Sequence, residues 1–172
     1  MQAPSPLLAK LDLTGDRPTV GALMTLCEEN YRALMQLAPQ LASLRGVESS
    51  RRPGHAHLEL AIVDQAPYTT TFRLTHVFRP DGRVAESLPE PDAMLKAYHD
   101  AGQVEVLGLR QTVLPIVSHY ESPALHAKWK ANLFLSKWLG WCLRNGHRIG
   151  PEAGSEHAHR GRLSAEPSSF VV

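Results

Sequence analysis

Residues 68–78, Tyr68-Thr69-Thr70-Thr71-Phe72-Arg73-Leu74-Thr75-His76-Val77-Phe78, decide the fold class. The run is rich in β-branched and aromatic side chains, and Tyr68, Thr70, Phe72, Leu74, His76 and Phe78 occupy every second position. A period of two sends alternate side chains to opposite faces, so the run reads as a strand with one buried face. Residues 55–62 repeat the pattern, with Ala56, Leu58, Leu60 and Ile62 on one face and His55, His57, Glu59 and Ala61 on the other. Asp64-Gln65-Ala66-Pro67 supplies turn residues between the two runs, which predicts a hairpin.

Toward the C-terminus, Pro80-Asp81-Gly82 and Pro89-Glu90-Pro91 bracket a loop. Residues 93–99 and 103–109 then form a second predicted hairpin that turns at Asp100-Ala101-Gly102. Residues 111–120 add a predicted fifth strand of edge type, because Pro115 has no N–H to give to a ladder. Toward the N-terminus, Val20, Leu23, Met24, Cys27, Tyr31, Leu34, Met35 and Ala38 recur at helical spacing. Thr19 or Asp16 is the start signal of that helix and Pro39 its end, while Ser49-Ser50-Arg51-Arg52-Pro53-Gly54 reads as loop.

The last helix is framed by Ser122-Pro123 at its start and Asn145-Gly146 at its end. Leu125, Trp129, Leu133, Ser136, Leu139, Gly140 and Leu143 make one stripe, and Phe134, Trp138, Trp141 and Cys142 widen it beyond a single face. The fold expected is α+β: an antiparallel sheet of four to five strands flanked by an N-terminal and a long C-terminal helix, both on one sheet face. Residues 1–17 are expected to be a flexible N-terminus, 18–149 a single domain, and 150–172 a disordered tail rich in Gly, Ser, Pro, His and Glu.

Composition narrows the functional classes. With 172 residues, 43% hydrophobic and 20% charged, the chain supports one core. A formal net charge of +1 argues against nucleic acid as a partner, since phosphate-backbone binding needs a clustered excess of Lys and Arg. Residues 133–143, the longest apolar stretch, contain Ser136, Lys137 and Gly140 and are too short for a bilayer, so no membrane is expected. Residues 1–13 lack a basic start followed by an apolar run, which points to the cytoplasm, with Cys27 and Cys142 as buried free thiols.

Several spaced motifs carry a family resemblance: Leu26-Cys27-Glu28-Glu29-Asn30-Tyr31, Tyr68-Thr69-Thr70, Tyr98-His99-Asp100-Ala101, Glu105-Val106, Asn132-Leu133-Phe134-Leu135, Trp138-Leu139 and Cys142-Leu143. In this order, from about residue 23 to 146, they resemble the YqiB-like family of bacterial proteins, a domain of unknown function. The resemblance implies a cytosolic bacterial protein and brings no activity with it. Two positions depart from the family pattern. His126-Ala127-Lys128 stands where the family shows Asp-Glu-Lys, and Lys96 stands where an Arg precedes the Tyr-His-Asp motif. An acid pair cannot act here, whereas a cationic role at Lys96 survives without the bidentate geometry of Arg.

The polar residues suggest two kinds of function. A binding or regulatory module would use Phe134, Trp138 and Trp141 of the aromatic helix to meet a protein partner or a second copy of the chain. A small-molecule-binding protein or enzyme would use a helix–sheet pocket lined by Tyr31, Tyr68, Thr70, Lys96, His99, Asp100 and Glu105, because imidazole and carboxylates exchange protons and orient ligands. The plainer reading of that cluster is structural. Asp100 suits a turn, and successive strand residues such as His99 and Asp100 point apart. Asn30 is costly within a helix unless its amide has a partner, which suggests that it stitches the helix to the sheet. His55 and His57 share a strand face but have no third ligand marked by spacing, and His157-Ala158-His159 falls in the tail; no metal and no cofactor is expected. No Gly-rich phosphate loop, paired CxxC motif or nucleophile elbow occurs.

Overall fold

The structure is a computed structural model that describes residues 18–77, 91–110 and 124–150. The expected flexible N-terminus, the 80–91 loop apart from Pro91, the strand at 111–120, the Ser122-Pro123 cap and the tail beyond Gly150 lie outside the described residues. Helix α1 runs from Val20–Leu37, and a 3-10 turn follows at Leu41–Ser43. Strands β1 (Val47–Ser50), β2 (His57–Gln65), β3 (Thr69–Val77), β4 (Asp92–Tyr98) and β5 (Gln103–Arg110) come next, then helix α2 (Ala124–Arg144). The five strands form one antiparallel meander in sequence order.

The period-two runs bury one face. Leu58, Leu60, Thr70, Phe72, Leu74, His76, Ala93, Leu95, Ala97 and Val104 lie inside, and Arg73, Met94 and Lys96 lie on the other side of the pleat. Helix α1 closes this face with Leu34 and Leu37, and α2 with Leu135, Trp138, Leu139 and Cys142. Each fully buried Leu or Phe contributes about 1.5–3 kcal/mol by leaving water. Truncating Phe72 to Ala in this packing would cost about 3–5 kcal/mol.

Three local features set the frame. Thr19 Oγ1 accepts the Ala22 N–H at 3.1 Å and caps α1, which selects Thr19 from the two start signals, Thr19 and Asp16, that the sequence offers. At the end of α2, Gly146 takes φ +75° while its N–H and that of His147 bond back to the Leu143 and Cys142 carbonyls. This paired closure requires a left-handed residue, which the Asn145-Gly146 signal supplied. Two residues later the Ile149 N–H donates to the Leu37 carbonyl at 2.8 Å, tying the chain after α2 to the last turn of α1.

Three expectations need correction. Ser49 and Ser50 are the end of β1, where Ser50 pairs with Leu58, and are not part of a loop. Asp64 and Gln65 extend β2 across a bulge after Ile62, so the turn is confined to Ala66, Pro67 and Tyr68. The buried stripe of α2 is Trp129, Asn132, Leu135, Trp138, Leu139 and Cys142, which is rotated from the expected one and leaves Leu125, Leu133 and Leu143 half-buried.

Candidate functional site

The β4–β5 turn brings His99 against β3 and α1. Its backbone N–H donates to the Tyr68 carbonyl at 2.8 Å. Its ring is held from both sides, with Nδ1 3.1 Å from the Tyr31 hydroxyl and Nε2 2.7 Å from the buried Thr70 hydroxyl. A neutral imidazole has one donor and one acceptor nitrogen, and the two hydroxyls can each take the complementary role. Burial lowers the His99 pKa, with Asp100 pulling the other way, and burial raises that of Tyr31. Both ring nitrogens are therefore occupied by hydroxyl partners, and the triad joins helix to sheet.

The remaining residues of the expected pocket lie elsewhere. Asp100 is exposed and accepts the Ala101 N–H at 3.0 Å, the turn role its residue type favours. Tyr68 is exposed, and His99 uses only its carbonyl. Glu105 accepts from Lys128 Nζ at 2.8 Å and from the Tyr98 hydroxyl at 3.4 Å, while Lys96 Nζ lies 5.5 Å from the centre of the Tyr98 ring. The expected cluster thus divides into a Tyr31–His99–Thr70 triad and a Lys96–Tyr98–Glu105–Lys128 chain.

Tyr98, Glu105 and Lys128 of the second group border a half-open cleft of about 170 Å³ between α1, α2 and β5, and Lys96 does not line it. Leu23, Met24, Cys27 and Val104 give it apolar walls, and Tyr98, Gln103, Glu105, Lys128 and Asn132 give it polar ones. Buried amides fix the two helices beside it. Asn30 Nδ2 donates to the Asn132 carbonyl at 2.9 Å, Asn132 Nδ2 donates to the Lys128 carbonyl at 2.9 Å, and the Cys27 thiol lies 3.7 Å from Asn132 Oδ1. Asn30 therefore stitches helix to helix rather than helix to sheet. Burial first, then the nearby Glu105 charge, pushes the Cys27 thiol up to about 11, so this sulfur is a neutral wall group and not a nucleophile. Cys27, Asn132 and Lys128 were not singled out for a pocket in the sequence; an Asn inside an apolar helical stripe was the available signal.

The aromatic helix divides in the same way. Trp138 is 6% exposed and its indole N–H donates to His76 Nδ1 at 3.0 Å, so it belongs to the core and offers no surface to a partner. The half-buried Phe134 ring packs on it at 6.1 Å. Trp141 remains 36% exposed, with its ring 5.1 Å from His76 and 6.0 Å from both His55 and His147. Among the described residues no group of three His, Cys, Asp or Glu side chains is arranged to hold a metal ion, and no helix is long and apolar enough to cross a membrane.

A family model described as a protein of unknown function, DUF1249, matches residues 33–148. The uncharacterized protein YqiB of Escherichia coli strain K12 is 29% identical over 134 residues, which cover 75% of this chain and 91% of that protein. YqiB of Escherichia coli O157:H7 matches to the same extent. No solved structure matches the chain. The matched span reaches from the last turns of α1 to the residues that follow α2, so it takes in the whole sheet and the aromatic helix. The chain belongs to the DUF1249 family of proteins of unknown function.

Proposed function

We propose that the protein is a non-catalytic binding module that takes a small molecule in the cleft between α1, α2 and β5. One observation carries this reading. The cleft combines apolar walls from Leu23, Met24 and Val104 with a few convergent polar groups, Glu105, Lys128 and the Tyr98 hydroxyl, the usual make-up of a ligand site. The volume equals roughly six waters, which suits a small ligand. A catalytic role draws no support from His99, whose ring nitrogens are engaged by Tyr31 and Thr70.

The test is a fragment screen on the 15N-labelled chain, with the amide shifts of Val104, Glu105 and Asn132 followed in solution. The reading expects fragments that move these three amides and raise the melting temperature. A screen in which no fragment perturbs them would remove it.

A protein partner or homodimer is the second reading. It rests on Val47 and Val63, which are 64% and 58% exposed near the short edge strand β1, and on Trp141. An edge strand with exposed apolar side chains is a template for pairing. Light scattering at micromolar concentration separates the possibilities: a dimer mass that Val47→Lys reduces to that of a monomer supports this reading, and a monomer mass for the unaltered chain refutes the homodimer.

A further inference from the structure

We infer that the ligand of the α1–α2–β5 cleft is a small zwitterion of the amino-acid type, carrying an ammonium, a carboxylate and a short apolar body. The inference rests on the cleft being a binding site and deepens that proposal. Its basis is the Glu105–Lys128 pair, which borders the cleft with nitrogen and oxygen 2.8 Å apart. The Lys128 side chain is 55% exposed and that of Glu105 30%. A pair this exposed gains little from its contact and is cheap to open. A singly charged ligand entering between them would engage one partner and leave the other to solvent, so it would gain only half of what the two charges offer. A zwitterion replaces both halves: its ammonium takes Glu105, and its carboxylate takes Lys128.

The rest of the cleft fits this orientation. The Tyr98 hydroxyl, 3.4 Å from Glu105, stands beside the carboxylate that would receive the ammonium. Leu23, Met24 and Val104 offer an apolar surface to a side chain, and the neutral Cys27 thiol adds no charge. The Asn132 side-chain bond to the Lys128 carbonyl holds the turn of α2 from which the lysine extends, so its stem is placed while its head stays free to swing. A ligand with one added charge would upset this balance. The size of the cleft, about 170 Å³, limits the body to a side chain such as that of leucine or valine.

The test compares three probes by calorimetry and amide shifts: L-leucine, 4-methylpentanoate, which lacks the ammonium, and 3-methylbutylamine, which lacks the carboxylate. L-leucine is expected to bind at least about tenfold more tightly than either singly charged probe. Glu105→Gln should weaken L-leucine by about tenfold while leaving 4-methylpentanoate no weaker, and Lys128→Met should do the converse for the amine. Lys128→Arg keeps the charge and should retain L-leucine binding, which guards against a fold defect in the Met variant. Equal binding of all three probes, or tighter binding of one singly charged probe, overturns the zwitterion and leaves the cleft as a ligand site. No shift with any of the three overturns it as well, and the fragment screen then decides separately whether the cleft binds anything.

Discussion

Thr70 Oγ1 lies 2.7 Å from Nε2 of His99 and joins β3 to the turn that follows β4. Tyr31 reaches the other ring nitrogen from α1, so one imidazole connects three elements distant in sequence. Thr70→Val and Tyr31→Phe should each lower stability by about 1 kcal/mol, the net worth of one hydrogen bond. His99→Ala leaves both hydroxyls without the ring and should cost more than either, about 2 kcal/mol. Urea denaturation of the single and double variants checks this, and a non-additive double variant would show that the two bonds act through the shared ring.

His76 is 6% exposed, and burial, aided by the neighbouring His147, lowers its pKa to about 4. Its surroundings are Trp138, Trp141 and Cys142 of α2 and His147 beyond it, with Arg52 and His55 acting on His147 in turn. Trp138 can only donate, so His76 Nδ1 must stay unprotonated to accept. The unfolded chain binds a proton at this group near pH 6.5, while the folded chain resists until about pH 4. Stability therefore falls as pH drops through this window, by about 3 kcal/mol for this group. Thermal melts between pH 7 and 4 should show the loss, and His76→Gln should flatten it.

Cys27 and Cys142 have thiols raised by burial to about 11 and about 12. Because the thiolate is the reactive form, Cys27 should carry about a hundredfold less of it at pH 8 than an unperturbed thiol. Alkylation of the native chain should be slower by at least that factor for both residues. Urea should restore ordinary rates.

Gly140 lies inside α2, where a Cβ would meet only the end of the Arg144 side chain, at 3.3 Å. That flexible group can move aside, so Gly140→Ala should raise stability by about 0.5–1 kcal/mol through helix propensity. Gly102 differs: its φ is +60°, and although a Cβ would sit an ordinary 3.9 Å from Tyr31 Cδ1, Gly102→Ala should cost about 1 kcal/mol in backbone strain. Paired melting temperatures check both signs.

The hairpins were legible because a half-buried strand writes its burial into alternate residues. Thr70, Phe72, Leu74 and His76 are buried as the 68–78 pattern required, whereas Tyr68 precedes the strand and is exposed, and Phe78 lies outside the described residues. Strand β1 was not legible, since only Ser50 is buried there and the strand exists through its pairing with β2. At the candidate site, the residue types were right for polar contacts, but their grouping was decided by geometry across the sheet. His99 and Glu105 are six positions apart, yet one meets Thr70 and the other Lys128. Which side of an edge strand faces a helix is a tertiary fact, and so was the place of Cys27 and Asn132 between two helices.

The bond from the Ile149 N–H to the Leu37 carbonyl has a consequence for synthesis. Contacts between distant parts of a chain form slowly, and a nascent chain can make them only after both parts have emerged. Helix α1 leaves the ribosome early but acquires its last backbone partner only when residue 149 follows. Until then the apolar side of α1 and the inner face of the sheet lack their aromatic cover from α2, so arrested chains ending before residue 124 should be protease-sensitive and those extending well past 149 resistant.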